Sequence, residues 1–280
     1  MNILVVGGTR FFGIPMIKAL LSAGHDVTIA TRGNQPNPFP KETKHVLLDR
    51  KVSASVRAAL PQQKYDCIID KVAYSSNDVR ALLENVICER YILMSSASVY
   101  EDTHADIKET EFEPSLHNLV WADSFDDYTE AKRQAERAAL EFVDYDRCSF
   151  VRYPVVLGKR DYTNRVGFYA DHIKDEYPMY IDDYEWGMSF INESDAGGFM
   201  AYLIDHFVCG AINGSSNGIV SIETLIKRLE EKYRKKAVVD PDGDAAPFNG
   251  LKADFSLNTE KATAAGYNFL DINRWFFDIL

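Results

Sequence analysis

The stretch Ile3-Leu4-Val5-Val6-Gly7-Gly8-Thr9-Arg10-Phe11-Phe12-Gly13 decides how the rest of the chain is read. Four consecutive apolar residues predict a strand buried on both faces of a parallel sheet. Two glycines end it, and the apolar positions Ile17, Leu20 and Leu21 continue as a helix that stops at Gly24. A strand, a glycine turn and a helix, in that order, suit the phosphates of a dinucleotide. Glycine lets backbone N–H groups come close, at the positive end of the helix. Alone, such glycines also fit a helix start that merely tolerates them.

Outward from this unit the pattern alternates. Strands are expected at residues 26–31, 45–48, 65–70, 90–95 and 149–153, with helices at 52–60, 79–86 and 124–142 between them. Alternation at this spacing means βαβ units with right-handed crossovers. Beyond Gly158 it weakens into a stretch rich in aromatics and acids. A short strand at 188–191, helices near 195–208 and 221–235, and a last helix near 271–280 are expected there. The fold class read from this is α/β: a Rossmann-type doubly wound parallel sheet over residues 1–158. A smaller C-terminal α/β substrate-binding lobe follows over 159–280, with some elements returning to the main sheet.

Composition narrows the function. The 280 residues are 46% hydrophobic and 26% charged, enough for a packed core. A formal net charge of −11 argues against a nucleic acid or an anionic membrane as partner. Cys67, Cys88, Cys148 and Cys209 have no paired spacing, so zinc ribbons and redox motifs are not expected. No run approaches the roughly 20 apolar residues of a membrane span. With no basic start or cleavage-type segment at the N-terminus, a cytoplasmic protein is expected. Asp102-x-His104-x-Asp106 reads as a solvated acidic loop, and no metal is expected.

The turn departs from Gly-x-Gly-x-x-Gly, with Arg10 where a middle glycine is usual. The second strand ends at Arg32, and residues 30–35 hold no acid to accept from a ribose 2′-hydroxyl. Two arginines without an acid favour a 2′-phosphate, hence NADP, with NAD as the alternative if Arg32 only stacks on adenine. Asp49, at the end of the third strand, either accepts from the adenine amino group or forms a turn.

Tyr128-x-x-x-Lys132 lies on a predicted helix, where an i, i+4 pair shares one face. A nearby ammonium lowers a tyrosine pKa toward working pH and makes Tyr128 a usable acid/base. Lys132 could also bind a nicotinamide ribose. The fifth strand ends Ser95-Ser96-Ala97-Ser98-Val99-Tyr100, placing hydroxyls where open α/β sheets bind ligands.

Together these residues resemble the short-chain dehydrogenase/reductase superfamily, in its extended sugar-nucleotide epimerase/dehydratase branch. The resemblance rests on Gly7…Gly13, Asp49, residues 95–100, Tyr128…Lys132, Arg152-Tyr153-Pro154, residues 190–195 and Gly210-Ala211-Ile212-Asn213. It implies Ser96 as the hydroxyl that polarises the substrate oxygen, Tyr128 as acid/base and Lys132 as its partner on the nicotinamide ribose. It also implies Val72 and Ala73 along the cofactor, and Tyr153 and Pro154 beside the nicotinamide. The expected cofactor set further takes in Gly7, Thr9, Phe11, Phe12, Gly13, Arg50, Ser95 and Val156. Ser98, Arg160, Tyr162 and Arg165 are expected at the substrate, Arg165 as a bidentate clamp on a diphosphate or as a loop ion pair.

Three departures stand out. The Gly-Gly-Thr-Arg-Phe-Phe-Gly turn is similar to an atypical subgroup that includes chloroplast stem-loop RNA-binding proteins. Asp70-Lys71 stands where many members carry an uncharged or histidine-containing stretch. At 280 residues, the chain is shorter than many extended members. The expectation is an NAD(P)-dependent epimerase/dehydratase acting on a nucleotide sugar or similar polyol, as a homodimer paired through the Tyr-x-x-x-Lys helix. A reductase of a small carbonyl compound, or a non-catalytic NADP-sensing or RNA-binding protein on the same fold, is the alternative.

Overall fold

Residues 1–61 and 63–279 are described by a computed structural model. Strand and helix alternate through β1 (Asn2–Val6), α1 (Gly13–Ser22), β2 (Asp26–Thr31), β3 (Lys44–Leu47), α2 (Ser53–Ala59), β4 (Lys64–Asp70), α3 (Ser76–Leu83), β5 (Ile87–Ser96), α4 (Tyr128–Ala139) and β6 (Cys148–Tyr153). Next come β7 (Val155–Leu157), α5 (Arg165–Asp175), β8 (Pro178–Tyr180), β9 (Gly187–Met188), β10 (Phe190–Asn192), α6 (Glu193–Asp205) and β11 (Gly210–Asn213). The chain closes with β12 (Val220–Ser221), α7 (Ile222–Tyr233), β13 (Val238–Val239), β14 (Asp244–Ala245) and α8 (Glu260–Ala264).

Seven strands form the main sheet in the order β11-β6-β5-β4-β1-β2-β3, with every neighbouring pair parallel. The alternation of β1 shows why it is covered on both sides. Ile3 and Val5 join a core with α1 and α6, whereas Leu4 and Val6 join one with α3 and α4. The strand order turns back beside β1, so the crevice lies at the carboxyl ends of β1 and β4, a topological switch point.

The C-terminal part is woven into this frame. β11 extends the sheet beside β6, and α6 packs on α1. A Cβ at Gly197 of α6 would lie 2.5 Å from the Phe12 carbonyl and 2.7 Å from the Met16 nitrogen. Only glycine lets the two helices lie this close. α8 joins the first core through Ala262, and the other elements form a separate small core around Tyr169, Phe190, Leu225 and Phe276.

Several expected elements differ. The helix expected over 124–142 is α4, because the Asp127 carboxylate accepts from the Thr129 N–H at 2.9 Å and caps it there. Ser75 caps α3 at the Asp78 N–H, which starts that helix before residue 79. The strand expected at 188–191 is two strands: β9 pairs with β12 and β10 with β7, separated at Ser189. The last helix is two short 3₁₀ turns, Ile272–Arg274 and Phe276–Ile279. There Trp275 Nε1 donates to Ser216 Oγ at 3.1 Å, and Phe276 is buried. Tertiary packing overrides the helical pattern.

Candidate active site

The glycine turn needs its glycines. Gly7 and Gly8 have φ of 98° and 104°, left-handed values that favour glycine. A Cβ on Gly13 would lie 2.6 Å from the Gly8 Cα. The first turn of α1 carries no acid and no side-chain cap, but its Gly13, Ile14 and Met16 N–H groups donate to the carbonyls of Arg10, Phe11 and Phe12, and residue 15 is proline, so the donors left for an anion belong to the glycine turn itself. Arg10, at the missing glycine, points outward, and its guanidinium stacks on the Tyr162 ring at 3.8 Å. Phe11, with φ of 52°, meets the same ring edge-on at 6.2 Å.

A cavity of about 380 Å³ opens beside this turn. Thr9, Arg10, Arg32, Asp49, Arg50 and Val72 all line it. Arg32 is exposed at the end of β2, and residues 30–35 remain without an acid. Asp49 accepts from the Lys51 N–H at 3.0 Å, so its carboxylate helps form a turn while lining the cavity.

Arg50 lines this cavity with a guanidinium held from below. Its guanidinium is buried and paired with Asp70, and it donates to the Asp78 carbonyl at 2.6 Å. Asp70 also accepts from the Tyr91 hydroxyl at 2.9 Å and the Val72 N–H at 3.1 Å. The neighbouring carboxylates raise the Arg50 pKa against the opposing effect of burial. Arg50 therefore shapes the loop over residues 70–78 from below, with most of its donors already committed.

A second chamber of about 630 Å³ adjoins the first; Lys71, Tyr74 and Tyr162 line both. Ser95, Ser96, Ser98, Tyr128, Arg165 and Val156 are among its walls, together with Phe11, Phe12, Tyr153 and Pro154. Ser96 Oγ accepts from the Ser98 N–H at 3.1 Å and shares the chamber wall with the Tyr128 phenol. The Tyr128 pKa is raised by desolvation, with Ser96 and the positive charge of Arg165 pulling it back.

Lys132 is held by backbone carbonyls and is not among the groups that shift the Tyr128 phenol. It is fully buried, donating to the carbonyls of Ala73 at 3.0 Å and Met94 at 2.8 Å. Burial pushes its pKa down to about 8. The carbonyls at the carboxyl ends of the sheet draw the ammonium under the cleft. Ala73 is likewise buried and presents only this carbonyl.

The remaining residues are placed as follows. Gly13 is buried in the turn, and Tyr153 donates to the Ala196 carbonyl at 2.7 Å. Arg160 pairs with Glu193 at 3.2 Å and lines neither chamber. His104 pairs with Glu111 at 2.7 Å, and among the described residues no three His, Cys, Asp or Glu side chains assemble a metal site. Three cysteines are buried and Cys209 is exposed. No described helix is long and apolar enough to cross a membrane. Lys71 and Tyr74, which join the chambers, were not among the expected site residues. A lysine at the carboxyl end of a central parallel strand was the available signal.

Residues 3–86 match the model of the NAD dependent epimerase/dehydratase family. A segment of 113 residues is 33% identical to the chloroplast stem-loop binding protein of 41 kDa b from Arabidopsis thaliana, taking in 35% of this chain and 30% of that protein. Another, of 99 residues, is 27% identical to 2′-dehydrokanamycin reductase of Streptomyces kanamyceticus, taking in 35% of this chain and 28% of that one. The matches thus span less than a third of either relative.

Likeness of fold runs much further. The chain superposes on MoeE5, solved with UDP-glucuronic acid and NAD, with a TM-score of 0.75 at 15% identity, over 100% of this chain and 97% of that one. For the UDP-glucose 4-epimerase of Thermotoga maritima, solved with UDP-glucose, the TM-score is 0.71 at 18% identity, over 96% and 94%. The parallel sheet and its flanking helices are the fold of these proteins.

Proposed function

We propose that the protein is an NAD(P)-dependent epimerase/dehydratase-type enzyme acting on a nucleotide sugar or similar polyol. One observation carries the reading: the chamber walled by Ser96 and Tyr128 adjoins the glycine-turn cavity, with Lys71, Tyr74 and Tyr162 shared between them. The left-handed glycines and the cavity beside them fit a nicotinamide dinucleotide. When bound, such a cofactor supplies hydride transfer. Gly7, Gly8, Thr9 and Arg10 would hold its diphosphate and Arg32 a 2′-phosphate, which favours NADP over NAD.

This chain's own part is proton handling. Tyr128 takes the proton of the reacting hydroxyl in its phenolate form, which Ser96 and the charge of Arg165 favour against the burial that opposes it, and the Ser96 hydroxyl donates to the substrate oxygen as charge builds on it. Arg165 faces the chamber and supports the phenolate electrostatically. Lys132 holds the ends of the strands that carry these groups. A reductase would need its cofactor to leave after each turnover. The Arg10–Tyr162 stack beside the glycine-turn cavity favours retention and so the epimerase or dehydratase type. The test is Tyr128→Phe in a screen of sugar nucleotides against the NADP-loaded protein. Turnover should fall about 10²–10⁴-fold with dinucleotide affinity unchanged. Near-normal turnover would refute the mechanism.

A further inference from the structure

Lys71 is the residue that the reading above leaves without a task. Its N–H donates to the Val6 carbonyl at 3.1 Å, which fixes it at the end of β4 beside the glycine turn. The approach is close: a Cβ on Gly7 would lie 3.4 Å from the Lys71 Cβ. From there the side chain runs over α1, and its ammonium sits 4.0 Å from the centre of the Phe12 ring. Among the described residues no carboxylate pairs with it. Asp70, next in sequence, is committed to Arg50, Tyr91 and the Val72 N–H. The charges that act on Lys71 are instead the cations Arg10 and Lys132, and with burial they push its pKa down to about 8.

A half-buried ammonium with cations around it and no acid is unfavourable in the protein alone. It becomes favourable once an anion arrives. Its place is specific, since it lines both chambers at their junction. There a phosphate oxygen would meet the ammonium from one side and the N–H groups of the glycine turn from the other.

We infer that Lys71 is an anion-binding residue which takes a diphosphate at the junction of the two chambers. Naming a diphosphate rests on the proposed function; the anion site itself does not. The diphosphate belongs either to the dinucleotide or to a nucleotide sugar, and the two sources are separable by experiment.

The test titrates wild type, Lys71→Met and Lys71→Arg with inorganic diphosphate, NADPH and UDP-glucose by calorimetry, after near-ultraviolet circular dichroism confirms the folded state. Methionine keeps length and apolar contact with Phe12; arginine keeps the charge. Diphosphate should bind the wild type and Lys71→Arg, and bind Lys71→Met about tenfold or more weakly. A parallel loss for NADPH alone assigns the dinucleotide's bridge; a loss for UDP-glucose alone assigns the substrate's. If diphosphate fails to bind the wild type, or binds Lys71→Met equally well, the inference is overturned. A loss for diphosphate with both nucleotides unaffected overturns the assignment to either ligand. Failure of the wild type to bind any dinucleotide, with the diphosphate difference intact, overturns the proposed function and leaves the anion site standing.

Discussion

The guanidinium of Arg10 lies 3.8 Å above the ring of Tyr162, so the glycine turn and the loop after Gly158 are joined beside the cavity that both residues line. A dinucleotide lying along the turn would share its cavity with this pair. Residue 10 therefore does more than occupy a position where glycine is usual: it joins the turn to that loop.

Loss of that link should show in the release rate. A stacked pair of this exposure contributes about 0.5–1 kcal/mol. Tyr162→Ala is expected to speed NADPH dissociation by about two- to fivefold, with little change in association, by stopped-flow fluorescence. An unchanged off-rate would mean that the stack does not retain the cofactor.

Arg32 is expected to set the choice between cofactors. Calorimetric titration should give tighter binding for NADPH than for NADH in the wild type. Arg32→Ala should remove most of that difference, since a guanidinium–phosphate contact contributes about 1.5–3 kcal/mol. Equal affinities in the wild type would sink the NADP assignment.

Beneath the second chamber lies a fully buried ion pair. Arg152 donates to Glu136 at 3.0 and 2.7 Å, and to the carbonyls of Glu109 and Phe112, both at 2.9 Å. It also meets the Tyr100 hydroxyl at 3.2 Å, and that hydroxyl donates to Asn213 at 2.6 Å. Glu136→Leu leaves the guanidinium buried without its counter-charge. The expected loss is about 3–5 kcal/mol in urea unfolding, because an uncompensated buried charge is left behind. A cost below about 1 kcal/mol would show that water reaches the pair.

Lys71 links stability to pH. Its pKa falls from 10.5 to about 8 on folding, so the unfolded chain holds the proton more firmly. Stability from this residue must rise between pH 8 and 10.5, and the charged form is unfavourable below that window. The groups acting on it are Arg10 from the turn and Lys132 from α4, with the Asp70 carboxylate turned toward Arg50 and Tyr91. Lys71→Met is therefore expected to unfold at a higher temperature than the wild type at pH 7, by a few degrees. The gap should close by pH 10.5. A lower melting temperature at pH 7 would mean that the ammonium has a stabilising partner.

The sheet was legible in the sequence because each central strand is an apolar run between turns, and buried parallel strands require just that. Gly7, Gly8 and Gly13 were legible for the same local reason: a strand, a turn and a helix meet there. Lys132 and Arg50 were not, because their partners lie far along the chain. Lys132 reaches Ala73 and Met94, and Arg50 reaches Asp70 and Asp78, contacts that the residues next to them in sequence do not announce. The closing segment misled for another reason. Residues 271–279 carry a helical pattern, yet Trp275 and Phe276 are claimed by the lobe's core, and only short turns satisfy both.

The placement of α6 and β11 separates the order of synthesis from the order of completion. The apolar face of α1 and the outer edge of β6 belong to the first 153 residues, but residues 193–213 cover them. On the ribosome, the N-terminal half emerges with one helix bare and one strand edge open, and keeps both until some sixty further residues have been made. Chaperone dependence and aggregation during expression should concentrate in that interval.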